Sequence, residues 1–345
     1  AATPGQVLPV PSQPCLPSVV FLGGGRRRYS GWTAHGKLME PAEGDTIVRL
    51  GGGQLEWIDF ATPKSIGEAV DMLASKAHRA RVLAGGTDIL VQLRGGRRSA
   101  NLLVDVKGIP EMNEVSYDRR RGLVLGAAVP CYRIYQNQAV ASAYPGLIDA
   151  ASLIGGIQIQ GRASIGGNLC NAAPSGDAIP PVIAWGGVCH IAGPNGAREV
   201  PAEDFCTGPG QNVLRAGELL VSIHLPPPQS HSGVSYLRFI PRNEMDIAVA
   251  GVGSAVVLDA RGRNFVSARI ALASVAPTPV FARAAGESLA GKSVSEAAID
   301  EAAEKAMADA KPINDMRGTI RQRVHLVGVL TRRSLNTAVQ RARGG

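Results

Sequence analysis

No run of apolar residues in this 345-residue chain approaches the roughly 18 that a membrane-spanning helix needs, so no such helix is expected. Aromatic residues are scarce at 4%, while Gly (42) and Pro (23) are plentiful. The core must therefore be built from aliphatic and small side chains, with many turns between its elements. Cysteine offers no framework. Cys15, Cys131, Cys170, Cys189 and Cys206 are odd in number and widely spaced, without a C-x-x-C pair. That is neither a zinc site nor a disulfide scaffold, and the four-cysteine spacings of iron–sulfur ligation are missing. Reduced thiols in a cytoplasmic protein are the simplest reading.

Other catalytic signatures are also missing. His35, His78, His190, His224, His231 and His325 are scattered, and no pair has metal-ligand spacing. No Ser/His or Cys/His nucleophile arrangement and no P-loop occur. The nearest approach to G-x-G-x-x-G, Gly251-Val252-Gly253-Ser254-Ala255-Val256, lacks its third glycine and falls in an expected strand. A chain with so little acid–base machinery is suited to hold a cofactor that carries the chemistry. Charge adds a further exclusion. The net +8 is concentrated at the ends: residues 1–40 carry +3, and residues 317–345 carry seven arginines and no acid. The body between them is slightly acidic, with neither the aromatic interleaving nor the motifs of a nucleic-acid binder.

What is present is glycine in pairs. Ala84-Gly85-Gly86-Thr87-Asp88 follows a short apolar run, and Ser164-Ile165-Gly166-Gly167-Asn168-Leu169-Cys170-Asn171 comes about eighty residues later. Paired glycines allow positive φ and let backbone N–H groups close on a ligand. Successive N–H groups in one concavity make an anion site. Two such loops suit a ligand with a long negative middle, such as a dinucleotide pyrophosphate.

Around them the pattern predicts discrete elements. Residues 1–53, rich in proline and glycine, read as a poorly ordered extension or linker. Ser65-Ile66-Gly67-Glu68 reads as a capping box opening a helix whose apolar face is Ile66, Val70, Leu73 and Ala77. Strands are expected at 81–84, 101–106 and 123–127, a helix at 132–142, and a proline-interrupted helix through Ile179–Ala184. A hairpin turns at Pro194-Asn195-Gly196, and the strand Leu219–Leu225 is closed by Pro226-Pro227-Pro228. Beyond that boundary, strands at 234–240, 248–258 and 266–275 precede helices at 295–310 and 317–341. The last helix carries Ile320, Val324, Val327 and Leu335 on one face and arginines on the others.

Together the two glycine loops resemble a known family, the FAD-binding medium subunits of molybdenum hydroxylases of the carbon monoxide dehydrogenase and xanthine dehydrogenase group. The resemblance rests on Trp57-Ile58-Asp59-Phe60-Ala61-Thr62-Pro63, on residues 82–90, 158–177, 218–225 and 236–252, and on a C-terminal helix around His325–Arg333. Its most specific part is the second loop with its tail Ala173-Pro174-Ser175-Gly176-Asp177.

The resemblance implies an α+β fold. Two small α+β subdomains of the PCMH type, 55–115 and 116–228, would clasp FAD. A C-terminal domain, 229–342, would add a three-stranded antiparallel sheet and helices. It also implies the site. Leu83, Ala84, Gly85, Gly86, Thr87, Asp88 and Ile89 would wrap the FAD pyrophosphate. Ser164, Ile165, Gly166, Gly167 and Asn168 would close on the same phosphates and ribityl chain. Asp177 matches an aspartate near the flavin, although it could instead cap the helix at Ile179. Leu220 matches an apolar contact on the flavin. Tyr236 matches a flavin-facing tyrosine, although a strand residue packed in a core would look the same. Arg238 stands where a lysine is usual. No residue of this chain is expected to be catalytic in itself, and none to bind metal. The implied role is electron transfer: a small subunit with [2Fe–2S] clusters and a large molybdenum–pterin subunit as partners, and NAD, a quinone or O2 as acceptor. The alternative is a self-contained FAD oxidase of the vanillyl-alcohol oxidase type.

Overall fold

The parallel sheet near the start of the fold forms because short apolar strands alternate with an amphipathic helix. Trp57–Ala61, Leu102–Asp105 and Ala80–Leu83 lie side by side with Leu102–Asp105 between the other two. Leu103 and Val104 are fully buried there. The helix Ile66–Ser75 connects two of these strands and buries Ala69, Val70 and Leu73. Its expected capping box forms with a shift. Ser65 Oγ accepts from the Glu68 N–H at 3.2 Å, while the Glu68 carboxylate reaches the Lys64 N–H at 2.7 Å. The computed structural model describes residues 46–48, 57–75 and 79–344. Apart from the strand Thr46–Val48, the expected extension at 1–53 lies outside the described residues, as does Ala77.

A second, antiparallel sheet has the order Val115–Asp118, Gly122–Gly126, Leu219–Leu225, Val188–Gly193, Gly196–Pro201. Its central strand is the one whose limits the closing prolines mark. The hairpin turn is as expected: Gly193 pairs with Gly196, whose φ of +100° needs glycine. The helix expected at 132–142 is two helices, Cys131–Gln136 and Gln138–Ala143. Asn137 divides them by adopting extended backbone and capping the second, its Oδ1 accepting from Val140 N–H at 3.2 Å. Ile179–Ala184 is helical as read, with Pro180 and Pro181 tolerated in its first turn.

The third sheet is antiparallel: Ser232–Phe239, Ala250–Leu258, Phe265–Ala273 and a short fourth strand, Val280–Phe281. The sequence suggested three strands, since a two-residue strand carries no periodicity to detect. Helix Ile320–Ala342 packs on this sheet and helix Glu296–Asp309 packs against that helix, all sharing a core in which Val252, Val256 and Leu272 meet Ile299, Val327 and Leu335. The approach is close at Gly233, where a Cβ would overlap the Ala338 carbonyl.

The arginine-rich last helix differs from the expected inward apolar, outward basic division. Ile320 is 45% exposed, whereas Arg323 is buried. Arg323 donates to the carbonyls of Val249 (2.7 Å) and Ser274 (2.8 Å) and takes both oxygens of Asp315 at 2.8 Å. Arg317 pairs with Asp246, Arg332 with Asp300, and Arg341 with Asp149. Four of the seven arginines are thus answered by acids elsewhere in the sequence.

Two sets of variants test this packing. Gly233→Ala should destabilise by about 1–3 kcal/mol through overpacking. Gly67→Ala, at a helical site with nothing within 4 Å of the added methyl, should stabilise by about 0.5–1 kcal/mol. Chemical denaturation of both variants measures the two signs. The Arg323 guanidinium, which reaches both carboxylate oxygens through Nη2, holds the Asp315 carboxyl below its ordinary range. A depressed folded-state value means stabilisation that is present above the unfolded pKa of about 3.9 and lost as pH falls through the lower folded value. The urea-midpoint gap between wild type and Asp315→Asn should therefore be full at neutral pH and close as pH drops below about 4.

Candidate functional site

The site begins where the strand Ala80–Leu83 runs out. Ala84 to Asp88 turn the chain into the helix Ile89–Arg94. The two glycines here have different roles. Gly86 has φ +78°, a conformation glycine favours. At Gly85 a Cβ would overlap the Arg162 carbonyl, so only a bare backbone fits against the second segment. Lys107 Nζ holds the turn from beneath, donating to the Ala84 carbonyl at 3.0 Å and to Asp105 Oδ1 at 2.6 Å.

The second glycine segment is not a free loop. Ser164 is the N-cap of a helix, Ile165–Asn171, its Oγ accepting from Gly167 N–H at 3.0 Å. The helix ends at Ala172 in the left-handed region, φ 48°. Gly166 presses on Ala127, where a Cβ would lie 2.5 Å from the carbonyl oxygen. Gly167 has ordinary helical φ and would bring its Cβ near only the Ser164 hydroxyl, at 3.0 Å. Glycine at 167 is therefore not demanded by a positive φ; its effect is to leave the outer side of the helix open.

Between the two segments lies a cavity of about 810 Å³, within the roughly 300–1,000 Å³ of small-molecule and cofactor sites. From the first segment Ala84, Gly85, Gly86, Thr87, Asp88 and Ile89 line it. From the second come Ser164, Gly166, Gly167 and Asn168, and Leu220 closes one side from the central strand. The side chains of Leu83 and Ile165 are buried in the core beneath.

Asp177, Tyr236 and Arg238 are brought together elsewhere, outside that lining. Tyr236 Oη donates to Asp177 Oδ1 at 2.6 Å, and Arg238 Nη1 to Oδ2 at 2.5 Å. Asp177 does not cap the neighbouring helix, whose N-cap is Ala178. Burial pushes the Asp177 carboxyl up from its ordinary range, and the Arg238 charge with the two hydrogen bonds pulls it back. Burial, then the adjacent aspartate, pushes the Tyr236 phenol well up. The cluster touches the second segment through Asn168, whose Oδ1 accepts from Ala178 N–H at 3.2 Å.

The cavity also holds polar residues the sequence did not single out, Arg81, Gln92, Arg98 and Asn212, together with Asn171 from the end of the second glycine run, to which no role was given. Burial, then the nearby Arg98, holds Arg81 below the usual guanidinium range. A basic residue in the short strand leading to the A-G-G-T turn, three positions before Ala84, was the available signal. Cys170 lines the cavity as well, but burial pushes its thiol up to about 12, far from the range of a reactive thiolate.

Comparison with known proteins decides the family. The FAD binding domain of molybdopterin dehydrogenases matches residues 55–228, and the C-terminal domain of the carbon monoxide dehydrogenase flavoprotein matches 235–338. This chain belongs to the FAD-binding medium-subunit family of the carbon monoxide and xanthine dehydrogenases. It is 31% identical to the xanthine dehydrogenase FAD-binding subunit of Escherichia coli over 83% of this chain and 98% of that one. It is 32% identical to the carbon monoxide dehydrogenase medium chain of Afipia carboxidovorans, again over 83% and 98%. Among solved structures, carbon monoxide dehydrogenase from Hydrogenophaga pseudoflava superposes with a TM-score of 0.79 at 32% identity, covering 82% of this chain and 98% of that one. The medium-subunit fold accounts for the mixed sheets, and membership makes the chain an oxidoreductase component. Among the described residues no helix is long and apolar enough to cross a membrane.

The two contacts at the glycines predict different failures. Gly85→Ala should lower thermal stability, because the backbones must separate. Gly167→Val should leave the fold close to wild type, since valine is no worse a helix former than the glycine it replaces, while filling the cavity wall. Melting curves and flavin content of the two purified variants check the contrast: Gly167→Val should be folded and colourless.

Proposed function

We propose that this chain holds FAD non-covalently and serves as the electron-transferring flavoprotein subunit of a three-subunit molybdenum hydroxylase. The observation that carries the reading is the cavity pinned between Gly85 and Gly167, where two bare backbone segments meet. Ala84 to Ile89 and Ser164 to Asn168 would hold the pyrophosphate by backbone N–H groups. Leu220 would lie against the flavin. Asp177, Tyr236 and Arg238, buried behind the second segment, would stiffen it and supply the local charge balance.

When bound, FAD supplies the redox chemistry, accepting and releasing electrons one or two at a time. The protein's own residues bind, orient and shield it. On this reading a small subunit with [2Fe–2S] clusters delivers electrons from a large molybdenum–pterin subunit, and the acceptor is NAD, a quinone or O2. The near-complete coverage of the dehydrogenase medium chains supports these partnerships. We further propose the division into 55–228, with subdomains 55–115 and 116–228, and 229–342, following an extension at 1–53. A cytoplasmic location is proposed too, in keeping with the free thiols of Cys131, Cys170, Cys189 and Cys206.

Acid precipitation of the purified protein should release all its flavin into solution, as FAD and not FMN. Flavin retained in the pellet would favour a self-contained oxidase with a linked cofactor. A colourless protein that takes up no added FAD would refute the flavoprotein reading.

A further inference from the structure

Gln92 occupies the cavity wall between the two glycine segments, and its amide is engaged at both ends. Its nitrogen donates to Asp88 Oδ1 at 3.1 Å and to Asn171 Oδ1 at 2.9 Å. Its oxygen accepts from Arg98 Nε at 2.6 Å. Arg98 in turn donates to the Gly210 carbonyl at 3.0 Å. Gln92, Asp88, Asn171 and Arg98 all line the cavity. The bond to Asn171 joins residues 79 positions apart, one in the helix that follows the first glycine segment and one at the end of the second segment's helix.

Donor and acceptor chemistry makes this arrangement one-way. A guanidinium only donates, and a carboxylate only accepts. Gln92, placed between Arg98 and Asp88, must turn its oxygen to the first and its nitrogen to the second. Its remaining N–H then demands an acceptor, which draws the oxygen of Asn171 toward it. The N–H2 end of Asn171 is left over, and among the described residues it donates to nothing.

We infer that Gln92 is a positioning residue that locks Asn171 as a hydrogen-bond donor toward the acceptor-only pyrophosphate of the dinucleotide. The inference rests on the FAD reading above. Asn171 Nδ2 is the group that meets the ligand. Gln92 acts through it, by choosing which end of the Asn171 amide faces the cavity.

Substitution at Gln92 can reverse that choice. In Gln92→Glu the new carboxylate still accepts from Arg98 but offers no donor to Asn171. The Asn171 amide then turns its nitrogen to that carboxylate and its oxygen to the cavity, where it repels phosphate. In Asn171→Leu the donor is gone outright. Losing a hydrogen bond to a charged group corresponds to about a ten- to hundredfold loss in affinity.

The test is a double-mutant cycle on the full-length chain, stripped of flavin and titrated with FAD by flavin fluorescence. Gln92→Glu and Asn171→Leu should each weaken FAD binding about ten- to a hundredfold. The double variant should bind no more weakly than Asn171→Leu alone, because both changes remove one donor. Gln92→Met, uncharged and similar in length, frees the amide to take either orientation and should show a smaller loss. It carries the test if Gln92→Glu does not fold. A wild type that binds FAD beside single variants of unchanged affinity, or losses that add in the double variant, overturns the inference alone. A wild type that binds no FAD overturns the flavoprotein reading and the inference with it.

Discussion

Two stretches of backbone must touch with nothing between them. Gly85 rests on the Arg162 carbonyl, and Gly166 rests on Ala127, at distances that leave no room for a Cβ. Everything near the cavity serves that contact. Lys107 fixes the first turn from below. An antiparallel bridge between Pro130 and Ser164 sets the second where its helix begins. The parallel sheet and the larger antiparallel sheet each contribute one side. The cavity is the space these backbones enclose once side chains are excluded from the contact, so its width is set by main-chain geometry and not by rotamers.

Charge in the C-terminal part plays a structural role of a different kind. The arginines concentrated in and just before the last helix are distributed in space onto Asp149, Asp246, Asp300 and Asp315. Arg323 is the costly member, buried with its hydrogen bonds running to two carbonyls and a carboxylate. A cation desolvated this far is tolerable because both of its terminal nitrogens are engaged, although its Nε has no partner among the described residues. Its value is in fixing the turn before the helix against the strand that ends at Ala273.

How much of this could be read from the sequence depended on the range over which each signal acts. Leu219–Leu225 and Ile179–Ala184 were readable because prolines and periodicity mark them locally. The break at Asn137 was hidden because the side chain that ends one helix also starts the next. The second glycine segment looked like a loop because glycine is a poor helix former, and Ser164 as cap was the signal that outweighed it. Arg323 looked like surface because burial of a cation is decided by an acid and two carbonyls supplied from elsewhere. Gln92 carried no signal at all: its meaning lies in Asn171, 79 residues on. The glycines were the legible part of the site, and the polar side chains that finish its walls were not.

Asp149 shows what such long reach entails. It sits in the helix Pro145–Ala151, accepts from the Tyr236 N–H at 3.0 Å, and takes both arms of Arg341 at 2.6 and 2.9 Å. The partner is 192 residues downstream. On a ribosome adding about 5–20 residues per second, Arg341 follows Asp149 by roughly ten to forty seconds. For that interval the carboxylate has only the Tyr236 N–H, and the helix Pro145–Ala151 and the strand Ser232–Phe239 must stay together without the guanidinium that later joins them. The cavity between the glycine segments is lined by residues 73–220, so all of its walls are synthesised before that clasp can form.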